Sequence, residues 1–241
     1  MPDGSPEIFH TLQGEGRNVG TPSVFIRASL CNLHCVWCDT AYTWNWEDTN
    51  FSHENDRKFR REEQIVELSS NEICEFVEPF PCNNFVFTGG EPLLQEKAWV
   101  ELMDALLAAN PGSTFEVETN GTLFPGAAFL ERVHQFNVSP KLCNSGVEES
   151  RRYFPDVIRS LRDTGKVDFK FVVGDQEDLD EVLRFVGDCE IPTQNIFLMP
   201  RALTVAELEK NQSFAAEAAQ SKGFKYSDRL HLRLYGAKRG V

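Results

Sequence analysis

From residue 84 onward one unit recurs: a short apolar run, a turn of Gly, Pro, Asn or Ser, then an amphipathic stretch at helical spacing. Residues 84–88, 114–118, 135–138, 166–173 and 195–198 read as strands. Residues 93–109, 126–134, some part of 148–163, 176–188 and 204–222 read as the helices that follow them. Strands separated by helices lie parallel, because a parallel pair needs a crossover too long for a hairpin. The expected fold is therefore α/β, a mostly parallel sheet with outer helices. Ligands of such sheets sit at the carboxyl ends of the strands. There the turns Gly89-Gly90-Glu91-Pro92, Thr119-Asn120, Ser139-Pro140-Lys141 and Met199-Pro200 collect.

Two earlier runs, 6–10 and 21–28, also read as strands, joined by a loop with glycines at 14, 16 and 20 that let a ligand approach the backbone. Arg27 sits among Val24, Phe25 and Ile26, so by alternation it either faces solvent or holds an anion. The stretch 47–61 is polar enough for a solvated loop, and 62–77 carries helix-spaced apolar residues with Cys74 on the core side. The tail from 222 to 241 is basic, with Lys222, Lys225, Arg229, Arg233, Lys238 and Arg239 against the single acid Asp228. Residues 226–235 read as a final strand with His231 near its middle, a basic edge strand being the plain alternative.

Straight after the strand 21–28 come Cys31, Cys35 and Cys38 in a CxxxCxxC run. Loops this short make mutual disulfides geometrically poor, so the thiols point to one metal centre. A [4Fe-4S] cluster with one iron lacking a protein ligand fits the spacing. So does zinc, with His34, Cys74, Cys82, Cys143 or Cys189 completing a tetrahedron.

With 241 residues, 41% of them hydrophobic, the chain is long enough for one full α/β core and short for two. A net charge of −13 argues against nucleic acid or an anionic membrane and favours a small molecule or a protein as partner. The first residues lack the pattern of a signal peptide, and no apolar run is long enough to span a membrane. Seven cysteines, an odd number, suit reduced thiols in the cytoplasm.

The cysteine run after a first core strand, followed by Gly89-Gly90-Glu91-Pro92 after the next, resembles the radical S-adenosylmethionine (SAM) superfamily. Nearly the whole chain is similar to the 7-carboxy-7-deazaguanine synthase family within it. That likeness rests on Thr11-Leu12-Gln13-Gly14-Glu15-Gly16, Arg27, Cys38-Asp39-Thr40, the stretch Tyr42 to Trp46, Phe87 to Pro92 and Glu118 to Gly121. It extends through Ser139-Pro140-Lys141 and Met199-Pro200 to Arg229-Leu230-His231 and the end at Val241. Some members insert residues between the first two cysteines; this chain keeps the three-residue gap.

The resemblance implies a partial (β/α)-barrel, 1–241 as a single domain, with 1–30 as strands and substrate loop, 31–40 as cluster loop, 47–63 as a variable polar loop, and 223–241 as a strand and tail closing the substrate site. It implies conversion of 6-carboxy-5,6,7,8-tetrahydropterin to 7-carboxy-7-deazaguanine and ammonia, in the route to queuosine and other 7-deazapurines. A 5'-deoxyadenosyl radical would take hydrogen from C6 of the pterin, the ring would contract, and hydrogen would return, regenerating SAM. Cys31, Cys35 and Cys38 would hold a [4Fe-4S] cluster, and Thr40 a Mg2+ ion. Leu12, Gln13, Gly14, Glu15, Arg27, Thr88, His231 and the terminal carboxylate of Val241 would face the pterin, Arg27 gripping its carboxylate. Trp37, Cys38, Asp39, Gly89, Gly90, Glu91 and Asn120 would face SAM, together with Ser139, Pro140, Lys141, Met199, Pro200, Arg201 and Ala202. A flavodoxin or ferredoxin would supply the electron, and the chain would form a homodimer. Two other classes share part of this pattern. A glycyl-radical activase has the cysteine loop, and an iron-sulfur sensor or electron carrier needs the cluster without the glycine turn or Arg27.

Overall fold

The computed structural model describes residues 4–241; the reading of the N-terminus as carrying no signal peptide falls partly on residues 1–3, outside them. Eight strands form one sheet whose spatial order equals their order in the chain. They are β1 (Ile8–Leu12), β2 (Pro22–Ala28), β3 (Asn84–Gly89), β4 (Thr114–Thr119), β5 (Gln135–Val138), β6 (Val167–Val173), β7 (Ile196–Pro200) and β8 (Lys225–Tyr226). Only β1 runs antiparallel, against β2; every later neighbour pairs in parallel. β1 and β8 are the two ends of the order, so the barrel is partial, open between them.

Alternation divides the sheet into two faces. Val24, Ile26, Phe85, Phe87, Phe115, Val117, Phe136 and Phe169 join the main core beneath the helices. Phe87 stacks on Trp99 at 4.6 Å and on Phe115 at 5.6 Å between ring centres. Trp99, Leu102, Met103 and Leu106 are the buried stripe of α3 (Glu96–Ala109), which follows α1 (Arg61–Gln64) and α2 (Ser70–Val77). After it come α4 (Ala127–Arg132), α5 (Glu149–Arg152), α6 (Pro155–Asp163), α7 (Gln176–Cys189), α8 (Val205–Lys222) and α9 (Leu230–Tyr235). The other face of the sheet, inside the barrel, carries Arg27 opposite Thr88, then Glu116, Glu118, Asn137, Asp168 and Lys170.

Two expectations are corrected. The helix read over 62–77 is two short helices, because Ser69 begins a new one. Its hydroxyl accepts from Glu72 N at 3.3 Å while the Glu72 carboxylate accepts from Ser69 N at 2.8 Å, a reciprocal cap that an uninterrupted helix would not allow. Cys74 on α2 is half-buried against the core edge. The final strand read over 226–235 ends after Tyr226, and residues 230–235 form α9. The Asp228 carboxylate accepts from Arg229 N at 2.8 Å and turns the chain out of the sheet. Leu230, Leu232 and Leu234 mimic strand alternation, yet Leu232 is buried and Leu234 is half exposed.

Candidate active site

The site is built where β2 and β3 end. Gly90 N donates to Ala28 O at 3.0 Å and Glu91 N to Leu30 O at 2.8 Å, so the two strand ends are laced together. A Cβ on Gly90 would lie 1.9 Å from Leu30 O, and Gly89 has φ +134°, so neither position admits a side chain. Leu30, held by these bonds and by its own N–H to Thr43 O at 2.9 Å, takes φ +79° immediately before Cys31. The glycine pair thus sets the direction in which the cysteine loop leaves the sheet.

Glu91 is fully buried. It accepts from Leu93 N at 3.0 Å, Thr119 Oγ1 at 2.8 Å and Asn120 N at 2.8 Å, which joins the turns after β3 and β4. Burial holds its carboxyl above the ordinary range against these donors. Asn120 in turn donates to Asn32 Oδ1 at 2.8 Å, anchoring the cysteine loop to the same turn.

Cys31, Cys35 and Cys38 are free thiols gathered with Leu33 and Val147 in one small apolar cluster. Trp44 Nε1 donates to Cys38 Sγ at 3.4 Å, and Thr40 Oγ1 lies 3.5 Å from the same sulfur. Burial pushes Cys31 and Cys35 up to about 12 and Cys38 upward as well, so metal uptake must displace their protons. Among the described residues no three His, Cys, Asp or Glu side chains converge on a single ion position. Thiolates that each bind a different corner of a cubane need not converge, and these residues fit such a cluster. The zinc alternatives are dispersed: Cys189 lies in the main core, Cys74 and Cys82 pack against it, Cys143 is exposed, and His34 stacks on Phe51 and tilts against Trp44.

The polar segment 47–63 is not the plain solvated loop its composition suggests. His53 is buried, with Nε2 2.8 Å from Cys38 O, and Glu54 N donates to Val36 O at 2.8 Å. Lys58 spends its ammonium on Asn45 Oδ1 and the carbonyls of Thr49 and Phe51. The segment's polar groups therefore tie it to itself and to the cysteine loop.

Inside the barrel a charged network lies along the loop between β1 and β2. Lys170 Nζ bridges Glu15 at 2.5 Å and Glu118 at 3.0 Å. Arg229 reaches Glu15 at 3.1 Å and Asp39 at 2.5 Å. Burial raises the cost of charge on Glu15, but Lys170 and Arg229 outweigh it and hold the carboxyl well below its ordinary range. Burial keeps Glu118 above its range despite Lys170. Gln13 Nε2 faces Glu118 at 3.3 Å, and His231 Nδ1 lies 4.0 Å from Glu15. A Cβ on Gly14 would meet that imidazole at 2.6 Å, so the glycine makes room for it. Burial lowers His231 despite Glu15, which favours the neutral ring.

Arg27 gives Nε to Glu7 at 2.8 Å, and among the described residues its guanidinium makes no other side-chain hydrogen bond. Glu7 also accepts from Tyr42 at 2.9 Å and from Arg239 at 2.7 Å. Arg239 lies over the Tyr42 ring at 3.6 Å, and Val241, two residues on, is half-buried. Leu12 closes β1, and Thr88 sits beside Arg27 in the register.

After β5, Lys141 Nζ bonds Ser139 Oγ at 3.0 Å and lies 5.7 Å from the Trp37 ring centre. Trp37 Nε1 donates to Asn144 O at 2.8 Å. Met199 and Pro200 end β7. Arg201 N then donates to Val173 O at 2.9 Å, and Ala202 O accepts from Arg229. Pro140 is buried between Ser139 and Lys141. Sequence reading gave no role to Lys170, Glu118, Glu7, Asn32 or His53. Lys170 and Glu118 had a signal, since Val-Asp-Phe-Lys-Phe and Thr-Phe-Glu-Val-Glu place charges on alternate positions of apolar strands.

An open parallel barrel whose first parallel strand runs into three gathered thiols, laced to a Gly-Gly-Glu-Pro turn, defines a radical SAM protein, and the pattern of the Radical SAM superfamily matches residues 26–201. Such proteins carry a [4Fe-4S] cluster and SAM. The chain belongs to the 7-carboxy-7-deazaguanine synthase family. It is 35% identical to the 7-carboxy-7-deazaguanine synthase of Halobacterium salinarum, over 95% of this chain and 89% of that one. It is 35% identical to that of Pyrobaculum aerophilum over 97% and 95%, and 33% identical to that of Rhodopirellula baltica over 98% and 87%. The crystal structure of QueE from Escherichia coli shares the fold, with a TM-score of 0.66 at 23% identity over 94% of this chain and 93% of that one.

Proposed function

We propose that the chain converts 6-carboxy-5,6,7,8-tetrahydropterin to 7-carboxy-7-deazaguanine, releasing ammonia, in the route to queuosine and other 7-deazapurines. The observation that carries this reading is the opposite polarity of two groups in the same barrel mouth. Among the described residues Arg27 has only its Nε hydrogen-bonded to a side chain, that of Glu7, and it suits a carboxylate. Glu15 is held ionised by Lys170 and Arg229 and suits the N–H edge of a guanidine-like ring. The substrate carries both groups at its two ends.

Cys31, Cys35 and Cys38 would hold the cluster, which together with SAM would supply the radical chemistry that hydrogen removal from C6 needs. The residues' own work is to bind, orient and exclude water. Gln13 and Gly14 line the pterin, neutral His231 covers it from the side of Glu15, and Val241 closes the Arg27 side. Thr40, whose Oγ1 lies 3.5 Å from Cys38 Sγ, would offer a hydroxyl to Mg2+, a cation that prefers oxygen ligands. Lys141, Ser139, Trp37 and the turns after β3, β4 and β7 form the SAM wall. No helix among the described residues is long and apolar enough to cross a membrane. We take the enzyme to be a cytoplasmic homodimer reduced by a flavodoxin or ferredoxin.

The test is anaerobic turnover of iron-reconstituted protein with SAM, Mg2+, a low-potential reductant and the pterin, followed by mass spectrometry. Formation of 7-carboxy-7-deazaguanine that is abolished in Cys35→Ala is the expected result. Cleavage of SAM by fully loaded enzyme without that product would overturn the reading and favour a glycyl-radical activase.

A further inference from the structure

One side chain joins three loops of the site. Arg229, with 8% of its side chain exposed, sends Nε to Glu15 Oε1 at 3.1 Å, one terminal nitrogen to Asp39 Oδ2 at 2.5 Å and the other to the carbonyl of Ala202. Glu15 belongs to the substrate loop, Asp39 follows the third cluster cysteine, and Ala202 follows β7. The neighbouring backbone reinforces the clasp: Leu230 N donates to Gly14 O at 2.9 Å, and Ser227 Oγ accepts from Gly16 N at 2.8 Å. A planar guanidinium can hold three acceptors at fixed mutual positions, which a lysine ammonium on a flexible stem cannot.

We propose that Arg229 is a positioning residue that couples the pterin pocket to the SAM pocket, so that filling either tightens the other. The inference rests on the function proposed above. A pterin bonded to Glu15 fixes that carboxylate, and a fixed Glu15 holds Arg229 in the rotamer that grips Asp39. The Asp39 side chain is half exposed and has no other side-chain hydrogen bond among the described residues, so this grip decides its position. Because Asp39 directly follows Cys38, ordering it orders the wall against the adenosyl group. Linkage makes the effect reciprocal, since SAM raises pterin affinity by the same factor. The radical is then prepared mainly in enzyme whose substrate is already seated.

The test uses reconstituted holoenzyme without reductant, so that neither ligand is consumed, and measures SAM affinity by calorimetry with and without saturating 6-carboxy-tetrahydropterin. Wild type is expected to bind SAM about tenfold more tightly when the pterin is present. Arg229→Lys is expected to lose most of that factor while still binding each ligand alone. Asp39→Ala, which removes the cluster-loop arm, is expected to lose it too and decides the matter if Arg229→Lys does not fold. A merely structural role would weaken both ligands and leave their mutual factor unchanged. Persistence of the factor in the folded variants overturns the coupling. So does its absence in wild type that converts the pterin, an outcome that leaves the proposed function standing. Wild type that neither binds nor converts the pterin overturns the function and the coupling with it.

Discussion

Nε2 of His53 lies 2.8 Å from the carbonyl oxygen of Cys38. A carbonyl only accepts, so Nε2 donates to it, while Nδ1 lies 2.9 Å from Asn55 Oδ1 within the same turn. A residue from the polar segment thus fixes the backbone of a cluster cysteine. His53→Ala removes this bond and a buried ring and leaves Cys38 O unpaired, a change of about 1–3 kcal/mol. Reconstituted His53→Ala should lose its cluster in air about tenfold faster than wild type, read from the fading visible absorption. An unchanged rate would show that the segment does not brace the loop.

Glu91 serves three donors in a fully buried position. Glu91→Ala strands two N–H groups and a hydroxyl, each unpaired buried donor costing about 1–3 kcal/mol, so stability should fall by roughly 3 kcal/mol or more. Glu91→Gln keeps one acceptor oxygen and should fall by less. Urea midpoints of the metal-free proteins measure both, and equal midpoints would contradict the bracing role.

Gly90→Ala would place a methyl 1.9 Å from Leu30 O, so the ends of β2 and β3 must part. The sheet can survive this, because the collision lies at its rim. The expected result is near-wild-type circular dichroism with failure to take up a full complement of iron and sulfide. Full uptake would show that the glycine pair does not aim the cysteine loop.

His231 carries a pH signature whose sign follows from its lowered value. Burial, outweighing Glu15, sets its folded pKa below the ordinary 6.5. Between the two values the unfolded chain binds more protons than the folded one. Stability from this group is therefore complete above 6.5, falls as pH drops towards the lowered folded value, and is constant below it. Urea midpoints taken from pH 7.5 downward, on the acid side of about 6.5, should decline less steeply in His231→Asn than in wild type. Parallel declines would mean that the imidazole titrates as it does in water.

The parallel sheet was legible because its strands are apolar runs punctuated by glycine and proline turns, a pattern set by local chemistry. The cysteine triad and the turn Gly89-Gly90-Glu91-Pro92 were legible as motifs, but the reason for the glycines was not. It lies in the approach of Leu30, far away in sequence. Ser69 and Glu72 split a helix within one period of apolar spacing, too short a signal to separate from continuity. Leu230, Leu232 and Leu234 suggested a strand because alternation over five residues also fits a turn and a half of helix. His53 looked solvated because its burial depends on a carbonyl fifteen residues earlier. Arg27 was read as facing either solvent or an anion, and its first partner is Glu7, an anion supplied by the protein itself.

Hydrogen abstraction from C6 of a pterin held between Arg27 and Glu15 is tested most directly with substrate deuterated at that carbon. Abstraction followed by return of hydrogen requires deuterium to appear in the 5' position of recovered SAM as 7-carboxy-7-deazaguanine forms. Product formation with no deuterium in SAM, or deuterium transfer that persists in Cys35→Ala, would contradict it.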